Sequence, residues 1–473
     1  MPGGLLAPRE AGLYSESIMA EGKTLTRGQW FALVAAFTGW MFDGVEIGLF
    51  PLVARPALQD LLKVTSDEQI VSVMSMIIAC FLVGAACGGF AFGWLGDKIG
   101  RVRTMFLSVL TYSLFMGCGY FAQQAWHLAL FLFISALGMG GQWSLGVALV
   151  MECWPERHRP KLAGAIGAAA NVGFLFIALV ALTRSITVTD WRWMMVVGAS
   201  PALLSLFIIC FVPESERWQA AVRKGGRSPI VVIFSRGLLS KTLLAMVFSA
   251  IPLIGTWAAV SAYLPTWAEA MKETETGKSL LSPKDLAKLE AAKTPKEKQV
   301  ILGKSLTPEQ WQELRGKGSH AKALTQAMMA IGSIICCYVA ATIGGVFGRR
   351  PVYFVLCFLS LISCYYLFHY LTVVDTWFMI VATSVGGITA AFYGWLPLYL
   401  PELFPTRVRA TGQGLSFNFG RIVAAVGTLC QGQFVALFHG DYARAMGTVT
   451  LVYLVGMVLI WFAPETKGKP LPD

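Results

Sequence analysis

Residues 31–52 read FALVAAFTGWMFDGVEIGLFPL. The stretch is apolar, long enough to cross a bilayer as a helix, and carries two carboxylates at its middle, Asp43 and Glu46. Spaced i and i+3, the two share a face of that helix. A charge at bilayer depth costs at least ~2.5–3.5 kcal/mol on insertion scales. Two carboxylates on one face also repel each other, and the repulsion is relieved when one takes up a proton. Packing alone gives no reason to bear that cost, so the pair reads as the proton- or substrate-handling centre of a transporter.

The rest of the chain agrees. Of 473 residues, 56% are hydrophobic and 14% charged, which marks a polytopic membrane protein rather than a soluble multidomain chain. The net charge of +11 invites a nucleic-acid reading. Many of the basic residues, however, sit in short loops between apolar spans, and no basic stripe with interleaved aromatics is present, so no nucleic-acid partner is expected. Nine of the ten cysteines fall inside apolar spans and Cys153 lies just past a span end. None has CxxC or Cys/His ligand spacing, so they read as small buried hydrophobes, with no metal site. No nucleophile elbow or phosphate loop is visible, and an enzyme is not expected. Residues 1–28 are polar and mixed in charge, without a signal peptide, and Met19 opens an alternative start.

Apolar windows of about 20 residues give twelve spans: 29–53, 70–95, 102–122, 127–150, 162–184, 192–212, 242–267, 323–347, 352–371, 376–400, 411–437 and 443–463. The predicted fold is therefore an all-α polytopic membrane protein. A tail (1–28) precedes a six-helix half (29–212), a linker (213–241), a second six-helix half (242–463) and a short tail (464–473). Lys and Arg concentrate after spans 2, 4, 6, 8, 10 and 12, which places that side and both termini in the cytoplasm of a cell membrane, the bacterial inner membrane. The charged insert 270–322 stands on the other side. Ser282-Pro283, Thr294-Pro295 and Thr307-Pro308 each put a capping hydroxyl before a Pro suited to a first helical turn, so the insert reads as small helices.

The two halves repeat at a near-constant offset. Glu152, Pro155, Arg159 and Gly164 plus 250 give Glu402, Pro405, Arg409 and Gly414. Gly100-Arg101 recurs as Gly348-Arg349, and Pro213-Glu214 as Pro464-Glu465. The only two asparagines, Asn171 and Asn418, both stand in Asn-x-Gly in equivalent spans 5 and 11. Duplicated halves around a shared central cavity are the pattern of alternating-access transporters.

The segment after span 2, Gly93-Trp94-Leu95-Gly96-Asp97-Lys98-Ile99-Gly100-Arg101-Val102-Arg103, resembles the G-x-L-x-D-R-x-G-R-[KR] signature of the major facilitator superfamily. Residues 152–159 (ECWPERHR), Trp191-Arg192-Trp193, Pro213 to Trp218 and Pro464 to Gly468 are similar to its sugar-porter-like group. Asp43-Gly44-Val45-Glu46 resembles the D-G-x-D motif of aromatic acid:proton symporters. The resemblance implies two pseudo-symmetric lobes rocking about a central site. Two departures stand out. Leu132 occupies the place of an Arg linked in many members to proton coupling, and Gly345 occupies the place of the second-half counterpart of Asp97.

Asp97, Arg101, Arg103, Glu152, Arg159, Glu402 and Arg409 form the expected charged gate on the loop-rich side. Arg421 lies about ten residues into span 11, ~15 Å deep, and Asp43 about fourteen residues into span 1, ~21 Å deep, so they share a central slab. An Arg guanidinium is a natural fork for a carboxylate. The reading is a proton-coupled symporter of a small organic anion, an aromatic or sugar acid, with Asp43 and Glu46 as proton-coupling groups. Arg421, Asn171, Asn418, Gln142, Trp143, Tyr393 and Trp395 are the candidate substrate contacts. No cofactor beyond the proton gradient is called for, and a monomer in lipid is expected. A neutral sugar or polyol, an organic cation, or a non-transporting receptor are the alternatives. For a neutral or cationic substrate, Arg421 would be bonded to Asp43 or Glu46 and screened from the cavity.

Overall fold

A computed structural model describes residues 25–473 except 65–66, 185, 226, 262, 292–299, 302, 304 and 439–440. The tail before residue 25 and the helix start expected at Thr294 lie outside these residues. Among the described residues the secondary structure is helical, with no strand. Twelve long elements cross from face to face: α1 Arg27–Leu62, α2 Asp67–Ile99, α3 Arg101–Cys118, α4 Ala125–Cys153, α5 Arg159–Thr183, α6 Trp193–Phe211, α7 Leu239–Leu280, α8 Pro308–Phe347, α9 Arg349–Tyr370, α10 Thr376–Leu403, α11 Arg409–Leu437 and α12 Ala443–Phe462. Eleven are long and apolar enough to cross a membrane. The other, α11, carries Gln413, Ser416, Asn418 and Arg421.

The helix ends explain the repeated motifs. Thr26 and Gln29 form a reciprocal capping box that starts α1. Gly100 (φ +113°) and Gly348 (φ +102°) make the sharp turns from α2 to α3 and from α8 to α9, a backbone region that L side chains rarely adopt. The carboxyl of Glu214 accepts the first N–H groups of α3, from Arg101 at 3.0 Å and Val102 at 3.1 Å. Glu465 does the same for α9, from Arg349 and Arg350 at 3.0 Å. A carboxylate at a helix N-terminus satisfies orphan donors and complements the dipole, so each Pro-Glu motif closes a lobe by capping a helix far away in sequence.

The first six helices build one lobe around Val45, Leu49, Tyr112, Met116, Leu132 and Trp191. The lobes meet chiefly where α2 packs on α11 and α5 packs on α8. The 250-residue offset maps α2 onto α8 and α5 onto α11, so the two contacts are symmetry mates, as a pseudo-two-fold axis between the lobes requires. Both ends of the described chain lie on one face, the terminal face: Gln29 donates to Cys153 O at 2.9 Å, and Pro472 O accepts from Thr406 N at 3.1 Å.

At the far face α7 and α8 outrun the bilayer. They are 42 and 40 residues long, whereas about 20 suffice to cross. The first and last parts of the insert are thus continuations of the spans themselves. Glu269 and Lys322 join them at 2.9 Å, and a small cluster around Leu289 and Leu314 packs the tip. Ser282 and Thr307 do begin helices, at Pro283 and Pro308.

Candidate transport site and its latch

The terminal face is closed by a buried charge network. Asp97, at the end of α2, accepts from the N-terminus of α11 in the other lobe: from Ala410 N at 3.2 Å, Thr411 N at 2.8 Å and Thr411 Oγ1 at 2.5 Å. Arg101 holds Asp97 at 2.7 Å and Glu152 at 3.1 Å, and reaches across to Thr406 O at 2.6 Å. Arg409 returns the contact, its Nη1 lying 2.8 Å from Glu152. Two guanidinia and two carboxylates thus neutralise each other out of water, with the N–H groups of α11 donating to Asp97 and the Ser215 hydroxyl to Glu152.

The second half repeats the scheme without the cross-lobe link. Arg349 makes a fork to Glu402 at 2.9 and 2.5 Å, and Thr466 caps Glu402 as Ser215 caps Glu152, each at 2.5 Å. Gly345 stands where Asp97 does in the first half, and Pro160 stands where Ala410 does. A Cβ at Gly345 would lie 2.6 Å from Pro160 Cγ. Pro160 has no N–H to give, so an acceptor opposite it would have no donor there; the two changes compensate each other. Arg159, expected to mirror Arg409, pairs instead with Glu156 at 2.9 Å, leaving its Nε and Nη2 buried without a partner. Arg103 is exposed and stands outside the network.

Outside the spans, the two capping carboxylates differ. Burial pushes Glu214 up from its ordinary value against the N–H groups of Ser215, Val102 and Arg101. Burial also opposes ionisation of the less enclosed Glu465, but the N–H groups of Arg349, Arg350, Lys467 and Thr466 prevail and hold it below the ordinary value.

Next comes an aromatic layer. Trp143 of α4 stacks on Phe417 of α11 across the lobes, with centroids 3.9 Å apart and planes at 12°. Trp40 meets Phe417 edge-on at 5.8 Å and Tyr393 lies 6.4 Å from it.

The charged slab lies one helical turn further in. Asp43 of α1 and Arg421 of α11 face each other from opposite lobes, close enough for their charges to interact, with no ion pair within 4.0 Å. Both Asp43 oxygens and Arg421 Nη1 are buried without a protein partner, and so are the side-chain amides of Gln142 and Gln413. The Arg421 guanidinium carbon is 5.8 Å from the Phe417 ring centre. Gly39 makes room for the Gln142 amide, which any Cβ there would strike. Buried polar groups are normally satisfied, so this concentration of unpartnered ones between two lobes makes the slab the candidate binding site.

Other expected residues fall elsewhere. Glu46 faces the interior of the first lobe, its Oε2 lying 3.2 Å from Ser135 Oγ, and not Arg421. Trp395 is packed inside the second lobe against Tyr353 and Tyr399, its Nε1 donating to Arg349 O at 3.0 Å. Asn418 donates to Gly140 O at 3.1 Å and Gly414 O at 2.9 Å, a link between lobes, whereas Asn171 is half-buried and makes no side-chain hydrogen bond. Sequence reasoning missed Trp40, Phe417 and Gln413. Trp40 lies one turn before Asp43 and Phe417 one turn before Arg421, a spacing that could have signalled them.

Two six-helix lobes, joined by a buried charge network on one face and with unpaired buried charges between them, have the duplicated-half architecture of membrane carriers. The chain belongs to the major facilitator superfamily: the model of that name matches residues 30–283, and the model "Sugar (and other) transporter" matches 317–473. It is an integral membrane transporter, not an enzyme. A protein of Cupriavidus pinatubonensis named "Probable 4-methylmuconolactone transporter" is 28% identical over 92% of this chain and 90% of its own. The "Cis,cis-muconate transport protein" of Acinetobacter baylyi is 25% identical over 84% and 85%. Among solved structures, the proton:xylose symporter XylE bound to 6-bromo-6-deoxy-D-glucose superposes with a TM-score of 0.70 at 16% identity, covering 94% of this chain and 98% of that one.

Proposed function

We propose that the protein couples proton entry to uptake of a small organic anion, an aromatic or other planar carboxylate, by alternating access. The observation that carries the reading is Arg421: buried, unpaired with any carboxylate within 4.0 Å, and with its Nη1 left without a protein partner. A site for a neutral sugar or an organic cation gains nothing from such a guanidinium. The relatives named for a muconolactone and a muconate support the same class.

In this scheme Asp43 takes a proton when the site is open to the far face. Its charge no longer competes for Arg421, and the substrate carboxylate takes the guanidinium. The loaded, neutralised site can then reorient as the latch opens, and the proton leaves through the terminal face, which the excess of Lys and Arg in its loops supports as the cytoplasmic one. The carrier needs no cofactor beyond the proton gradient and works as a monomer in a bacterial inner membrane.

The test is reconstitution in liposomes with labelled aromatic and dicarboxylic acids, sugar acids and neutral pentoses, with and without an inward proton gradient. Gradient-driven accumulation of an acid is expected. Asp43→Asn should abolish accumulation while retaining exchange, and Arg421→Gln should remove both. Accumulation of neutral sugars alone, or full accumulation by Asp43→Asn, would refute the reading.

A further inference from the structure

Glu46 is fully buried in the first lobe with no cation against it. The groups facing it are Ser135 from α4, Tyr112 from α3 and Asp43 from its own helix. Leu132, one turn from Ser135, is part of the same apolar core. An ionised carboxylate placed there would be an uncompensated buried charge beside a second carboxylate.

The hydrogen count at Ser135 adds an independent constraint. Its Oγ lies 3.2 Å from Glu46 Oε2 and 3.0 Å from the carbonyl oxygen of Tyr112. A hydroxyl has one hydrogen, and a carbonyl can only accept. If that hydrogen goes to Tyr112, the contact with Glu46 is attractive only when Glu46 supplies the second hydrogen.

We propose that Glu46 is a separate proton site, a neutral carboxylic acid that donates to Ser135 Oγ while Ser135 donates to the Tyr112 carbonyl, so that Asp43 alone carries the charge that faces Arg421. Ser135 is then a positioning residue for an acid walled off from the substrate. This deepens the proton-coupled reading above, and it gives the two carboxylates of α1 different tasks. Asp43 changes charge during the cycle. Glu46 keeps its proton and spares the site a second negative charge.

Infrared spectroscopy of the full chain in lipid nanodiscs, in H2O and D2O at neutral pH, reads protonated carboxyls through a C=O stretch that shifts on deuteration. One such component is expected to vanish in Glu46→Gln and to persist in Asp43→Asn. It should move to higher frequency in Ser135→Ala, where the acid loses its acceptor. A spectrum in which Glu46→Gln removes no such component, or in which the loss comes only in Asp43→Asn, overturns the proposal. So does a Ser135→Ala spectrum without a shift, which also decides the matter should Glu46→Gln fail to fold. No substrate is present, so failure of anion uptake and failure of this assignment are seen separately.

Discussion

Glu152 at the end of α4 and Arg409 at the start of α11 belong to different lobes, yet they meet at 2.8 Å with both side chains fully buried. Closure of the terminal face therefore has a definite chemical content. Removing Arg409 takes one charged hydrogen bond from Glu152, worth about 1.5–3 kcal/mol, while Arg101 and Ser215 still hold that carboxylate.

Arg409→Ala is accordingly expected to depopulate the closed state by more than about ten-fold, since ~1.4 kcal/mol already gives that factor. Arg409→Lys should fall between, because an ammonium cannot serve Glu152, Pro401 O and Pro472 O together as the guanidinium does. Spin-label distances across the terminal face would report the shift. Unchanged distances in Arg409→Ala would rule out this pair as a latch.

The Gly345–Pro160 contact yields a counterintuitive expectation. Restoring an acidic residue by Gly345→Asp should not strengthen the latch. It should lower the melting temperature, because the new side chain meets a proline ring with no N–H to bind, and overpacking costs about 1–3 kcal/mol. Adding Pro160→Ala supplies the donor and removes the nearer ring contact, at Cγ, though the Cβ contact at 2.8 Å stays, so the double variant should recover part of the loss. Thermal unfolding in detergent measures both.

Phe417 serves twice, stacking on Trp143 and lying beneath Arg421. Phe417→Leu keeps an apolar side chain but loses both ring interactions, each worth about 0.5–1.5 kcal/mol. The KM for the transported anion should rise roughly three- to ten-fold, with folding intact. Liposome uptake at varied substrate concentration separates KM from maximal rate.

Glu465 should leave a signature in acid. Its folded value lies below the ordinary one because four backbone N–H groups stabilise the charged form. A depressed carboxylate contributes stability above its unfolded value and loses it as pH falls through the folded one. Glu465→Gln should therefore melt below the native protein at neutral pH, with the gap closing as the medium becomes acidic. A gap that is constant with pH would mean the charge is not what matters there.

Much of this architecture was readable in one dimension. The glycines at 100 and 348 and the glutamates at 214 and 465 came out of the sequence as a repeat, and they prove to be one turn and one cap used twice. Gly345 was readable as a lost acid. Its compensation by Pro160 was not, because the two lie in different lobes and nothing local links them. Trp395 and Tyr393 looked alike as neighbours in an aromatic run. Two residues apart on a helix, they point in different directions, and only Tyr393 reaches the layer around Phe417.

The chain by itself determined the twelve crossings, their division into two halves, and a first helix that carries acid at mid-bilayer depth, since hydropathy, spacing and loop charge are local properties. The tertiary structure decided what each acid faces. Residues at i and i+3 are neighbours on a helix but differ by roughly 60° around its axis. At a helix that borders both the lobe interior and the gap between lobes, that angle sets Asp43 toward Arg421 and Glu46 toward Ser135.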